Sequence, residues 1–194
     1  MFGFGEETWF IQTLTISDYQ AQWAQKDYKE FANSLPVLGT WDDHDYGLND
    51  GGEEFHMKKE SQQLFLDFIT VPKEDNRRER EGVYHSQVFK TKKGTVKIVV
   101  LDTRYFRSEL TKSSKKGKRY QPNAYGEGTI LGEKQWDWLA AELTNSKADF
   151  NVIVSSIQLI SHLHGFESWG NFPHEVDALI KLVKTSKAKG VIVL

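Results

Sequence analysis

The chain contains 194 residues and carries a formal net charge of -2. Basic residues do not dominate, which argues against a nucleic-acid-binding protein, and the longest apolar runs are far shorter than the ~18 residues that a membrane span needs. The N-terminus lacks the basic start and apolar core of a signal peptide. Cysteine is absent, which excludes disulfides but does not indicate a compartment. The length predicts a single domain, residues 1–194, with a sizeable core.

The first third of the chain is predicted to contain two helices and a short strand. Residues 17–34 place apolar and aromatic side chains at helical spacing, and Pro36 ends this helix. Residues 37–40 form a short apolar run that predicts a buried strand. Residues 53–70 return to helical spacing, and Pro72 stops them. The acidic segment described below therefore follows directly on the predicted strand.

An antiparallel hairpin is predicted in the middle of the chain. Residues 83–90 and 95–101 form its strands, and the sequence Thr-Lys-Lys-Gly at 91–94 is a turn signal between them. Residues 106–128 are long and irregular, which is typical of binding loops and lids. The basic run at 112–119 lies within this loop. Its Ser and Gly content indicates a solvated loop, although its charge would also attract an anionic substrate.

The last third alternates helices with strands. Residues 132–143 are amphipathic and predict a helix, and residues 150–157 predict a buried strand. Pro173 lies where a final helix would begin, a position that proline favours. Residues 190–194 predict the last strand. This alternation predicts an α/β fold.

The segment at 41–52 is the most informative part of the chain, because residues 42–52 contain four carboxylates, one imidazole and one side-chain amide. Such a concentration of negative charge is unfavourable unless cations lie among it. Hard divalent cations prefer carboxylate and amide oxygens, so the pattern predicts a metal site. The simpler alternative is an acidic turn in which Asp and Asn side chains cap the backbone.

The sequence Trp-Asp-Asp-His-Asp at 41–45 closely resembles a motif of the alkaline phosphatase D family, the PhoD-like metallophosphatases. Four further segments agree with that family in the expected order: 101–104, 129–136, 155–158 and 167–173. The resemblance runs from about Tyr19 to Leu194. It implies a calcineurin-like four-layer α/β/β/α sandwich and metal-dependent hydrolysis of phosphate esters.

The resemblance also implies roles for individual residues. It gives Asp43 a metal-ligand role and His44 a substrate-facing role, in which His44 is expected to stabilise the transition state or protonate the leaving oxygen. Asp42 and Asn49 are expected metal ligands beside Asp43, because their side chains supply carboxylate and amide oxygens. Asp45 is expected to orient the His44 imidazole. The expected cations are divalent, with calcium first, and iron is expected only in a complete enzyme. Relatives are often exported, although the chain shows no export signal.

Arg104 is the expected phosphate-binding residue, because a guanidinium can hold phosphate through two hydrogen bonds. A salt bridge to Asp102 or to the acidic segment is an equally weighted alternative. Tyr105 and Arg107 are weaker candidates. The histidines at 162 and 164 could bind metal as a pair, but a role within their loop is the favoured interpretation.

Two motifs of the family are absent from the sequence. An upstream Asp, often with a Cys, and a downstream Gly-Asp-x-His would be expected to complete the site. We therefore expect a central fragment of a larger enzyme, incomplete at both ends, with weak activity by itself. The apolar strand at 190–194 would favour self-association. The alternative function is a non-catalytic remnant that binds a cation or a partner chain.

Overall fold

A computed structural model describes residues 16–161 and 163–194. Its four strands form one sheet in the order β1-β2-β3-β4, in which the first pair is antiparallel and the others are parallel. The strands span β1 His85–Thr91, β2 Gly94–Val100, β3 Phe150–Val154 and β4 Val191–Val193. The helices span α1 Ile16–Ala24, α2 Lys26–Ser34, α3 Asp43–Tyr46, α4 Lys58–Phe68, α5 Gly132–Thr144 and α6 Pro173–Thr185, with short 3₁₀ turns at Asn76–Arg78 and Trp169–Asn171.

The predicted hairpin is confirmed, and its register is set by the turn. Thr91 pairs with Gly94 and His85 pairs with Val100. Gly94 has a φ of 145°, which L-residues with a side chain rarely adopt. The Thr91 hydroxyl donates to the Gly94 carbonyl at 2.9 Å, which closes the turn. The two strands therefore run in opposite directions, and β2 ends at the side of the sheet opposite this turn.

The two parallel connections bring α5 and α6 onto one face of the sheet. Alternate residues of the central strands point to this face, among them Val99 and Ile153, which lie opposite each other in the register. They pack in a core with apolar residues of both helices and of the 3₁₀ turn that precedes α6: Leu139, Leu143, Leu179, Trp169 and Phe172. The predicted helices at 132–143 and from Pro173 are thereby confirmed.

A second core supports the acidic segment. It is mostly aromatic and contains Trp41, Tyr46, Phe55, Phe65 and Leu66, all buried. Phe65 and Leu66 belong to α4, so this helix presents one face to the segment that follows Thr40. Trp41 and Tyr46 contact each other edge to face, with ring centroids 5.0 Å apart. The acidic segment is therefore anchored by large rings on the side away from solvent.

Several predicted elements have different bounds in the structure. Residues 17–34 form two helices, because the chain bends at Gln25, which has extended backbone angles. The predicted strand at 37–40 is wrong: these half-buried residues pair with no strand of the described region. The helix expected from residue 53 begins only at Lys58, because the tight turns that contain Gly51 and Gly52 precede it.

The face of the sheet opposite α5 and α6 is apolar and partly exposed. Register places Phe89, Val96 and Phe150 in one row across three strands. Phe150 is 52% exposed and Ile192 is 45% exposed. The described residues thus form a mixed α/β unit with one four-stranded sheet, and the expected second sheet of a four-layer sandwich is not among them. Within the same residues, no helix has the length and apolar character to cross a membrane.

Candidate functional site

A cavity of about 500 Å³ opens at the edge of the sheet where β2 and β3 end. The carboxyl ends of parallel strands are where α/β proteins place their binding sites. Three segments form the walls: the acidic segment, the turn after β2, and the loop after β3. The lining residues are Asp42, Asp43, Asp50, Arg104, Ser156, Ile157, Gln158, Ser161, His164, Phe166 and Glu167.

Asp102 joins the end of β2 to the acidic segment. Its side chain is fully buried, and Oδ1 accepts hydrogen bonds from the Trp41 indole at 2.9 Å and from the Arg104 amide at 2.9 Å. Oδ2 accepts the Val83 amide at 2.9 Å. A buried carboxylate needs such partners, since its desolvation is costly without them. Asp102 thus fixes the backbone that presents Arg104, and it fixes Trp41 at the start of the acidic segment.

The acidic segment begins as a single helical turn rather than as an open loop. Asp45 Oδ2 accepts the Asp42 amide at 3.3 Å, which caps the turn, and Gly47 ends it with a φ of 114°. Asp43 Oδ1 accepts the His44 amide at 2.8 Å, and Oδ2 accepts the Asp50 amide at 3.1 Å. The simpler alternative, an acidic turn in which Asp side chains cap the backbone, is therefore confirmed in part. Each Asp43 oxygen accepts one of these hydrogen bonds and can accept another, and Asp43 lines the cavity.

Arg104 lies at the centre of a buried charge cluster. Its side chain is 1% exposed and forms ion pairs with Asp42 and with Glu167. The Glu167 pairing is bidentate, with Arg104 Nη1 2.6 Å from Oε1 and Nη2 2.5 Å from Oε2. Arg107 Nε lies 3.1 Å from Glu167 Oε1. One carboxylate therefore lies between two guanidinium groups on the cavity wall, and a second carboxylate closes the cluster from the acidic segment.

The cluster alters the acidity of its members. Burial by itself lowers the pKa of Arg104, but Glu167 and Asp42 outweigh this effect and raise it above its ordinary value. Burial raises the pKa of Glu167, and the two arginines oppose that rise. Arg107 has a lowered pKa because burial outweighs the attraction of Glu167. Charged groups are thus held out of water at the cavity wall, where their mutual positions are fixed by hydrogen bonds.

Asp50 connects the acidic segment to the long loop. Its Oδ2 lies 2.6 Å from Arg119 Nη1 and accepts the Tyr120 hydroxyl at 2.8 Å. Its carbonyl accepts a hydrogen bond from Arg107. The residue has a φ of 51°, in the left-handed region that Asp tolerates better than most residues. This conformation is therefore held by contacts to five other side chains, since Asn49 and Asp43 also bind Asp50.

The predicted site residues separate into two groups. Asp42, Asp43 and Arg104 line the cavity together. His44, Asp45 and Asn49 are exposed, and none of them is among the described residues that line the cavity. The Asn49 amide donates to Asp50 Oδ2 at 3.1 Å. Of the two salt-bridge partners considered for Arg104, the acidic segment is the one observed, through Asp42. The Arg104 side chain makes no ion pair with Asp102, which accepts a hydrogen bond from the Arg104 backbone amide instead.

The described carboxylates match a metal site in chemical type but not in number. Asp42 and Asp43 supply oxygens of the kind that Ca²⁺ accepts. Within residues 16–161 and 163–194, however, no three His, Cys, Asp or Glu side chains form a group that could hold a metal ion. Asp42 Oδ1 is already bound to Arg104. The described residues therefore fit part of a cation site.

Two residues of the site were not selected from the sequence. Glu167 lies in a segment that carries the resemblance, but nothing local marks it as the partner of arginines about sixty positions earlier. Asp50 was one acidic residue among four, and only the fold brings it to Arg119. His164 lines the cavity, and its ring is bonded within its own loop, to Ser161 O at 2.8 Å and from the Phe166 amide at 3.0 Å. This agrees with the favoured loop role, whereas His162 lies outside the described residues.

Comparison with known proteins agrees with the expected resemblance. The family model described as PhoD-like phosphatase matches residues 7–194. Alkaline phosphatase D of Bacillus subtilis (strain 168) is 23% identical over 94% of this chain and 35% of its own length. A solved structure titled "Structure of PhoD" superposes with a TM-score of 0.66 at 22% identity, over 93% of this chain and 38% of that one. The chain thus spans about a third of the curated relative's length.

Proposed function

Because the chain belongs to the PhoD-like phosphatase family, we propose that it acts in metal-dependent hydrolysis of phosphoric esters at the cavity beside β2 and β3. The observation that carries the proposal is the convergence of Asp42, Asp43 and Arg104 on one cavity at the carboxyl edge of the sheet. Phosphoryl transfer needs positive charge on the phosphoryl oxygens and fixed positions for the reacting groups. Acidic and basic groups held in fixed contact at one cavity are suited to both requirements.

Arg104 is the proposed phosphate-binding residue. Its guanidinium lines the cavity and is held by Asp42 on one side and Glu167 on the other. This double pairing restricts the guanidinium to one orientation, and because its five N–H donors already have partners, phosphate would bind by displacing one of them. Its raised pKa, which the two carboxylates cause against the effect of burial, keeps it charged. Electrostatic stabilisation of this kind is worth most where water is excluded.

Asp42, Asp43 and Asn49 are the proposed ligands of a divalent cation, with calcium as the first choice. Each Asp43 oxygen has acceptor capacity beyond its one hydrogen bond, while Asp42 would share its carboxylate between the cation and Arg104. When bound, such a cation supplies positive charge to the phosphoryl oxygens. Iron is proposed only for a protein that contributes further ligands.

His44 is the proposed proton donor to the leaving oxygen, and Asp45 is proposed to orient it. His44 follows Asp43 on the helical turn α3, and its imidazole is exposed to solvent. A substrate bound against Asp43 and Arg104 would need to extend over this turn for the imidazole to reach it. The Asp45 carboxylate already holds the backbone of α3 through the Asp42 amide, so an effect on His44 would be exerted through the turn.

The wider architecture is part of the same proposal. The exposed apolar row on the sheet, which includes Phe150 and Ile192, is suited to covering by a second sheet, as in a four-layer sandwich. Residues 1–194 are proposed to belong to one domain. The edge strand β4 has one side unpaired within the described residues, and this supports the proposed self-association.

The test combines cation binding with turnover. Calorimetric titration of the purified chain with Ca²⁺ should show binding, and Asp43→Asn should weaken it by roughly tenfold or more, because a carboxylate ligand is lost. Asp75→Asn is the matched control, since Asp75 lies in a turn with Arg77 and does not line the cavity. Equal effects of the two variants, or no binding, would contradict the proposed ligands.

Turnover separates the proposal from its alternative. Because weak activity is expected of the chain by itself, hydrolysis of aryl phosphate mono- and diesters should be slow with metal added, and His44→Ala should reduce that rate further by about 10²–10⁴-fold without changing the unfolding midpoint. Ca²⁺ binding that depends on Asp43 but is accompanied by no hydrolysis would favour the non-catalytic cation-binding alternative. An equal loss of stability and rate in His44→Ala would contradict its role in proton transfer.

A further inference from the structure

The basic run predicted as a solvated loop is an ordered hairpin beside the cavity. Lys112 and Tyr120 form an antiparallel bridge, and the Ser113 amide donates to the Arg119 carbonyl at 3.0 Å. The Lys118 amide donates to the Lys115 carbonyl at 3.1 Å and closes the tip. Residues 110–126 contain five basic and no acidic residues. The hairpin therefore carries a dense positive charge on a defined backbone.

The hairpin is attached to the wall of the cavity on two sides. The amides of Arg119 and Tyr120 both donate to the Gly165 carbonyl, at 2.8 and 2.9 Å. Gly165 has a φ of 81°, and a side chain there would collide with Lys118. On the other side, Arg119 and Tyr120 bind the Asp50 carboxylate. Asp50 and Phe166 line the cavity, so the hairpin is joined to residues of both neighbouring walls.

Three ammonium groups of the hairpin are left for a ligand. Arg119 is paired with Asp50, and Lys118 donates to the Leu163 carbonyl. Lys112, Lys115 and Lys116 are exposed, and no ion pair connects them to any residue that the structure describes. The hairpin that carries them contacts Asp50 at the cavity wall, and surface charges act over roughly 8–10 Å before salt screens them. They would attract an anionic group that extends out of the cavity.

We infer that this hairpin binds a second anionic group of the substrate, so that the preferred substrates carry further phosphate groups beside the one hydrolysed. This inference rests on the proposed function for the identity of the cavity but not for the hairpin's own binding. Lysine ammoniums act on phosphate as point charges without a fixed geometry. The recognised feature is therefore the number of phosphate charges, rather than the shape of the group that carries them.

The test measures binding without catalysis. Calorimetric titration with inorganic tripolyphosphate and with orthophosphate, without added divalent metal, should show tighter binding of tripolyphosphate to the unaltered chain. A variant with Lys112, Lys115 and Lys116 all changed to Gln should bind tripolyphosphate roughly tenfold more weakly, because each exposed ion pair contributes about a factor of two. The preference over orthophosphate should shrink by the same factor.

The matched control changes Lys90, Lys92 and Lys93 to Gln, which removes the same charge at the β1–β2 turn. That turn precedes β2, whereas the cavity lies where β2 ends. This control should bind tripolyphosphate almost as the unaltered chain does. Equal losses in the two triple variants, no loss in the hairpin variant, or no preference for tripolyphosphate would each overturn the inference. Absent ester hydrolysis would instead count against the proposed function, because this titration involves no turnover.

Discussion

Two charged regions of the molecule are built in opposite ways. At the cavity, Arg104 is paired with Asp42 and Glu167, which lie 62 and 63 positions away in the sequence, and its side chain is 1% exposed. Around the 3₁₀ turn Asn76–Arg78, Asp75 pairs with Arg77 two positions away, and the exposed Lys73 pairs with Asp67 six positions away. The first region joins distant segments, whereas the second stabilises one local turn.

The two regions differ in how much their ion pairs contribute to the stability of the fold. The exposed local pair of Lys73 and Asp67 contributes little, because solvent screens it and two side chains lose freedom. The cluster at the cavity is different, because Arg104 and Glu167 have lost nearly all contact with water and depend on their partners. Its members also form the cavity wall. The arrangement that positions the candidate site is thus also the one most sensitive to loss of a single charge.

The largest effect is expected from Glu167→Gln. This change leaves Arg107 without a carboxylate and Arg104 with Asp42 alone, and breaking a buried pair in this way costs about 3–5 kcal/mol. Urea unfolding monitored by tryptophan fluorescence would measure the loss. Asp75→Asn is the matched change in the local region and should cost about 1 kcal/mol, the typical value of a capping side chain. Similar losses would mean that the contrast between the regions does not hold.

The second-largest effect is expected at His85, close to Arg77 of the local region, and it depends on pH. Burial, reinforced by the nearby Arg77, lowers the pKa of His85 from 6.5 to about 4. Its Nδ1 contacts the Val83 carbonyl at 3.1 Å, while Nε2 is buried without a hydrogen-bond partner in the described structure. The ring is therefore held neutral in the folded chain, and a proton would have to be accommodated without solvent.

Because the pKa of His85 is lowered in the folded chain, the folded chain becomes less stable at acidic pH. Below pH 6.5 the unfolded chain binds a proton that the folded chain accepts only near pH 4, so stability falls as the pH drops through this window. The loss should total about 3 kcal/mol. The His85→Asn variant keeps a donor and removes the titration. Between pH 7 and pH 4, the unfolding free energy of this variant should fall by about 3 kcal/mol less than that of the unaltered chain. Parallel curves for the two proteins would exclude His85 as the cause.

The smallest effect is expected from Asp67→Asn. Asp67 is half-exposed and binds Lys73 at 2.6 Å and Arg78 at 2.8 Å. Arg78 also donates to the carbonyls of Val71 and Pro72, so it keeps partners when the carboxylate is removed. The expected cost is below about 1 kcal/mol and should decrease further at high salt. A cost that approached that of Glu167→Gln would show that the local pairs are cooperative after all.

The helices and strands that could be predicted from the sequence are those encoded by patterns of neighbouring residues. The β1–β2 hairpin is encoded by two β-rich runs and a turn that ends in Gly94, and α5 is encoded by a stripe of apolar residues. The family followed from ordered motifs and is confirmed. The strand expected at 37–40 is wrong, because an apolar run forms a strand only when a partner strand is available to accept its hydrogen bonds.

Which charged side chains of the site form ion pairs could be seen only in the tertiary structure. Asp42, Asp43 and Arg104 were chosen from the sequence and do share a cavity. Arg104 follows β2, which ends at this edge of the sheet, and the hydrogen bond from Trp41 to Asp102 holds the start of the acidic segment beside it. Glu167 and Asp50 were not chosen, since their partners are Arg104, Arg107 and Arg119, at sequence distances over which no local pattern extends. Side-chain periodicity records which face a residue occupies within its own element. The meeting of two loops depends instead on how the whole chain packs.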